Sequence, residues 1–261
     1  MRIGNVVVTA VMLVGSACAS TAETLPGESG LASELSTCRT WMAGRTSSDA
    51  PEILRSGART LCVDIGNGMT EEMAERFVGM LREVPGPQPP HVVVRSLGGQ
   101  VDNGMLMGEA IVDLGAAVHV FGFCASSCAN YLFLPASERH VMEESVVFFH
   151  GGLVVRHLSE PVLSEEGRTK TSASLARQSR LLARSGIDPD LFEWMDRLNE
   201  DDGALERVCP DKPDIAVLLL SEDTLKRAGA PLASNHGPDS QATSDRVMGR
   251  YGLAEVSCFW Q

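Results

Sequence analysis

Lysine is scarce in this chain. Three residues, Lys170, Lys212 and Lys226, stand among 22 basic residues against 34 acidic ones, for a formal net charge of -12. An acidic surface repels phosphate backbones and anionic headgroups, which argues against nucleic acid as a partner. Beyond the first 22 residues no apolar run is long enough to cross a bilayer. No second close-spaced Cys or His pair accompanies Cys124 and Cys128, so the sequence offers no zinc site, and it calls for no metal or other cofactor. Internal repeats, low-complexity tracts and ATPase signatures are also lacking. What is present is ordinary globular composition: 261 residues, 44% hydrophobic and 21% charged, enough to bury a sizeable core.

The first residues read as an address. Arg2 precedes the apolar run 6–14, and small residues follow at Ala17, Ala19, Ser20 and Ala22. That order is the pattern of a secretory signal peptide, here residues 1–22, and predicts a periplasmic protein. Cys18, after Gly15-Ser16-Ala17, adds the alternative of a lipid anchor that would tether the chain to a membrane. Six cysteines remain, an even number in an oxidising compartment. Spacing does not fix their connectivity. The pairs Cys38–Cys62 and Cys209–Cys258 are expected because each would anchor a polar segment. Cys124 and Cys128 are either a staple around the turn between them or two buried thiols.

Hydrophobic patterning places strands at 60–65, 91–96, 117–121, 140–142 and 146–149, and helices at 70–84, 103–114, 190–198 and 221–229. The apolar centre of 91–96 suggests burial on both faces. Alternation of strand and helix argues for parallel strands with right-handed crossovers. Residues 23–54 read as a loosely ordered lead-in, 55–233 as one α/β domain, and 234–261 as a tail. Within that domain, 156–208 is polar and helical in pattern.

Three pieces in order carry the chemistry. Ser96-Leu97-Gly98-Gly99-Gln100-Val101 ends a strand in two glycines, which let backbone N–H groups approach a substrate. Gly122-Phe123-Cys124-Ala125-Ser126-Ser127 puts a serine where a strand gives way to a helix; a helix cap is the bland use of such a serine. Val146-Val147-Phe148-Phe149-His150-Gly151 delivers a histidine at the end of an apolar strand, 24 positions after Ser126.

In this order the pieces resemble the Clp protease and crotonase superfamily, most closely its exported bacterial Clp-like members. The likeness covers about 60–151 and resumes weakly at 220–229. It implies a Clp/crotonase-like stack of strand–strand–helix units and a homo-oligomer. It also implies Ser126 as nucleophile, His150 as base, and Gly98, Gly99 and Ser127 as oxyanion and substrate-binding groups. Ser127 is the alternative nucleophile if the register slips by one. Leu97 replaces the family's usual proline. The family's acid would fall at Val217; Asp214, three residues earlier, is the substitute. Related signal peptide peptidases use a lysine base, which here could only be Lys170 or later, in a segment with little sign of the burial such a base needs.

The expected function is an exported serine hydrolase, an ATP-independent peptidase acting on peptides or unfolded protein segments. The alternative is a catalytically inactive Clp-like scaffold that binds an extended peptide or an envelope partner.

Overall fold

A computed structural model describes residues 26–261 except 47–48, 67, 160–162, 201–202 and 213. The sheet is centred on β2 (Thr60–Gly66), β3 (His91–Ser96) and β4 (Ala117–Ala125), whose apolar residues are buried on both faces. These strands pair in parallel and are connected by α2 (Glu71–Arg82) and α3 (Val101–Leu114). β1 (Glu52–Arg55) adds an antiparallel edge, and β5 (Glu138–Val141) and β8 (Ser234–Asn235) extend the other edge in parallel. The expected α/β architecture, a sheet dominated by parallel strands that alternate with helices, is therefore present.

β4 is long enough to serve two partners. Its first half pairs with β5, and its last three residues pair with β6 (Val146–Phe148). β7 (Val217–Leu220) and β9 (Ser257–Trp260) form a second, two-stranded sheet. Reciprocal backbone bonds between Phe149 and Leu218, at 2.8 and 2.7 Å, tie it to the end of β6.

Local chemistry explains the helices that frame the site. Thr70 caps α2 by accepting from the Met73 N–H at 3.3 Å, and Glu71 and Glu72 lie in its first turn. Met73, Phe77 and Leu81 recur at helical spacing and are buried. α3 presents Gly104 and Gly108 to the helix that follows Ser126. A Cβ at Gly104 would lie 3.0 Å from the Tyr131 ring, and one at Gly108 would overlap the Tyr131 carbonyl oxygen. Only glycine admits so close an approach.

Two expectations need correction. The lead-in is not loose: α1 (Pro26–Ala43) is a helix that lays Leu35, Cys38, Trp41 and Met42 against Cys62 and Val93 of the sheet. Arg45, just past it, joins Arg95 in gripping the buried carboxylate of Asp64, at 2.8 Å each. Nor is the C-terminal segment only a tail pinned by Cys258. It forms β8, α8 (Gln241–Gly249) and β9, and α8 opens with a capping box between Ser240 and Thr243. The polar middle forms α4 (Glu165–Ser185), α5 (Leu191–Glu200) and α6 (Ala204–Val208), followed after β7 by α7 (Glu222–Arg227). The signal segment and Cys18 lie outside the described residues.

Three disulfides are formed: Cys38–Cys62, Cys124–Cys128 and Cys209–Cys258. The first pins α1 to β2, and the last pins the end of α6 to β9. Peptide mapping without reductant is expected to recover all three pairs. Replacing Cys38 and Cys62 together by serine should lower stability by about 2–4 kcal/mol in a denaturant titration.

Candidate active site

The carboxyl ends of β3, β4 and β6 lie side by side, the position where open α/β sheets bind ligands. Ser96 is in register with Cys124, and Ala125 with Phe148. The residues just beyond these ends, Gly98-Gly99, Ser126-Ser127 and His150, therefore come from three adjacent strands.

Ser126 has a left-handed backbone, φ +54°, one of two non-glycine residues so placed among those described. Such a conformation costs on the order of 1–3 kcal/mol and persists only where its surroundings impose it. Here the Ser126 N–H donates to the Phe148 carbonyl at 3.3 Å, and the Ser126 carbonyl accepts from the Asn130 N–H at 2.8 Å. The Cys124–Cys128 disulfide closes around the turn. The Ser126 side chain is half-buried and has no hydrogen bond among the described residues. Ser127 differs: it is buried, and its hydroxyl donates to the Gly99 carbonyl at 2.8 Å. Of the two candidate serines, only Ser126 has a hydroxyl that is free.

The glycine turn is pressed against this serine. A Cβ on Gly98, where φ is +95°, would lie 2.8 Å from both the Ala125 carbonyl oxygen and the Ser126 Cβ. Its N–H is already committed to the Ser96 hydroxyl at 3.0 Å, so Gly98 supplies space rather than a donor. The N–H groups of Gly99 and Ser127 have no acceptor among the described residues. Leu97 is exposed beside the turn.

His150 follows the locked Phe149, is exposed, and its ring makes no hydrogen bond among the described residues. The antiparallel pairing of Phe149 with Leu218 brings Val217 abreast of His150. Val217 is an apolar residue buried with Phe148 and Leu219, so that position offers the imidazole no carboxylate. Asp214 is exposed and makes no bond to His150. Lys170 sits on α4, well exposed and paired with Glu166 at 2.7 Å, without the desolvation a lysine base requires.

Sequence reasoning missed two residues near the site. Asn130 and Gln178 are buried carboxamides that bond the backbone just after His150. Asn130 falls one helical turn after Ser126, a weak signal that was available; Gln178 lies in a polar helix with none.

No protein-family model and no curated protein matches the chain. Among solved structures, an asparagine-to-aspartate mutant of ClpP1 from Listeria monocytogenes is similar at 19% identity and a TM-score of 0.43, covering 68% of this chain and 92% of that chain.

Proposed function

We propose that this protein is an exported serine hydrolase, an ATP-independent peptidase acting on peptides or unfolded segments, built on a Ser126–His150 dyad. The observation that carries the reading is the left-handed backbone of Ser126, which leaves its hydroxyl without a hydrogen bond among the described residues at the end of β4, where the N–H groups of Gly99 and Ser127 also have no acceptor among them. In this mechanism Ser126 Oγ attacks the scissile carbonyl and His150 accepts its proton. The oxyanion that forms is met by the N–H groups of Gly99 and Ser127, whose alignment in advance of reaction lowers the barrier. His150 then returns the proton to the leaving amine, and water repeats the sequence on the acyl-enzyme. With no carboxylate bonded to His150 among the described residues the reading is a dyad, and Asp214→Ala is expected to leave the rate within about twofold, because an exposed carboxylate is screened by water.

Incubation of the purified protein with a fluorophosphonate tests the reading. Labelling at one residue, mapped by mass spectrometry to Ser126, is the expected result. A folded protein that takes up no label would instead be a scaffold whose cleft binds an extended peptide. The missing hydrogen bond between Ser126 and His150 is the observation that favours this second reading.

Export rests on the charged, apolar and small-residue order of residues 1–22. The mature protein is expected to lack that segment and to fractionate with the periplasm, or with a membrane through Cys18. Cys18→Ser releases only the lipidated form. An intact Met1 on cytosolic protein would rule export out. Self-association is also proposed, by resemblance to ring-forming Clp proteins, and sedimentation of the mature chain measures it.

A further inference from the structure

The chain just after His150 is held by two buried carboxamides from two different elements. Asn130 donates from Nδ2 to the Gly151 carbonyl at 2.8 Å, while its own N–H bonds the Ser126 carbonyl at the same distance. One residue thus bonds the carbonyl of Ser126 and the carbonyl next to His150. Gln178, on α4, takes both backbone groups of Leu153: Oε1 accepts its N–H at 3.2 Å and Nε2 donates to its carbonyl at 2.9 Å. The same Oε1 accepts from the Tyr131 hydroxyl at 2.7 Å. Burial pushes the Tyr131 phenol well above its ordinary range, so it remains a donor. α4 is itself fixed to α3 by a two-pronged pair between Arg177 and Glu109, at 2.7 Å on each arm.

Packing alone does not explain these residues. Asn130 is 3% exposed and Gln178 is 4% exposed, and the Asn130 Oδ1 is buried with no partner. An unsatisfied buried acceptor is costly, and an apolar side chain of similar volume would avoid the penalty. Meanwhile no carboxylate among the described residues holds the His150 ring, so its direction depends on the backbone over 150–153.

We infer that Asn130 and Gln178 are positioning residues for His150, with α4 the element that completes the site. This rests on the reading of Ser126 and His150 as the reacting pair. Asn130 couples the serine turn to the histidine loop directly. Gln178 couples the loop to the helix after Ser126 through Tyr131.

The test uses Asn130→Asp and Gln178→Glu, which keep volume but remove the amide donor. Met42→Ala, buried on α1 in a separate cluster against Cys62 and Val93, serves as a control for lost stability alone. Three readouts are compared: the fluorophosphonate labelling rate across pH, the NMR titration of the His150 ring, and hydrogen exchange at the Leu153 amide. The two amide variants are expected to label at least tenfold more slowly, with the midpoint of the pH profile displaced and the His150 titration moved with it. Gln178→Glu should also speed exchange at Leu153. The control should match the wild type in labelling rate and titration even if its melting temperature falls further. If either amide variant fails to fold, Tyr131→Phe removes one hydroxyl from the clamp and should shift the titration in the same direction by less. Wild-type behaviour of His150 in the amide variants, or an equal change in the control, overturns the inference. If the wild type takes no label, the hydrolase reading fails, while the titration and exchange data still decide whether the clamp sets His150.

Discussion

Ser126→Gly is expected to abolish fluorophosphonate labelling and, at the same time, to make the protein more stable. The two effects have one origin. A residue with a Cβ at φ +54° bears a steric cost that glycine does not, of about 1–2 kcal/mol. Glycine returns part of that gain through its larger freedom when unfolded, about 0.4–1 kcal/mol. Nothing else is lost, because the Ser126 hydroxyl has no hydrogen bond to give up among the described residues. Ser126→Ala should therefore also lose all labelling, but with the strain retained and stability near that of the wild type. His150→Ala should slow labelling by about 10²–10⁴, the usual contribution of a general base. Ser127→Ala removes the bond to the Gly99 carbonyl and should cost about 1 kcal/mol in stability while labelling persists. Denaturant midpoints and labelling rates on these four variants settle the matter. A Ser126→Gly protein that labels, or that is less stable than Ser126→Ala, would refute the strained-nucleophile reading. Loss of label in Ser127→Ala alone would move the nucleophile one residue along.

The parts of the site that could be read in the sequence are those made by short, contiguous stretches. A buried strand announces itself by an unbroken apolar run, so the ends of β3 and β6 are legible, whereas β4 runs four residues past the expected 117–121, through Gly122 to Ala125. What could not be read depends on residues far apart in the chain. α1 has a narrow apolar stripe and is held down by a disulfide to Cys62, so its helical pattern is weak. The C-terminal segment is ordered by the pairing of β9 with β7, which no local pattern announces, although the bond of Cys258 to Cys209 that anchors it is an expected one. Counting back from Ser221 leads to Val217, and Asp214 is only the nearest carboxylate to it in sequence; the structure leaves Asp214 exposed and without a bond to His150. Asn130 and Gln178 are of a residue type that in a helix normally faces water, and nothing local marks them as buried.

Acid is expected to destabilise the fold through a row of three histidines that plays no part in the proposed catalysis. His91, His119 and His140 come from β3, β4 and β5. His91 Nδ1 lies 3.0 Å from His119 Nε2, and the His119 and His140 rings stack at 4.2 Å. His119 is buried between the other two, and burial, followed by the neighbouring His140 and His91, pushes its pKa down to about 3. His91 is lowered as well, by burial and then by Arg59, with Glu138 and Glu34 acting in the opposite sense. His140 faces the Ser234 hydroxyl and Glu138. The folded protein thus keeps His119 neutral until about pH 3, while the unfolded chain takes up that proton near its ordinary value of 6.5. Between those values the unfolded state binds more protons, so stability is full above about pH 6.5 and falls as the pH drops toward 3. At about pH 4.5 the loss from this residue is on the order of 2–3 kcal/mol, from about two units of pH at about 1.4 kcal/mol each. His119→Phe keeps a ring stacked on His140 but cannot be protonated. It should cost about 1 kcal/mol near neutrality, where the bond to His91 is lost. Titrating groups outside this row act equally on both proteins, so the comparison is between slopes that report the row. Urea midpoints measured at about pH 7.5 and 4.5 should show the wild type losing more than the variant, enough for their order to reverse at the lower pH. Equal losses in the two proteins would show that the buried histidine is not what makes the fold acid-sensitive.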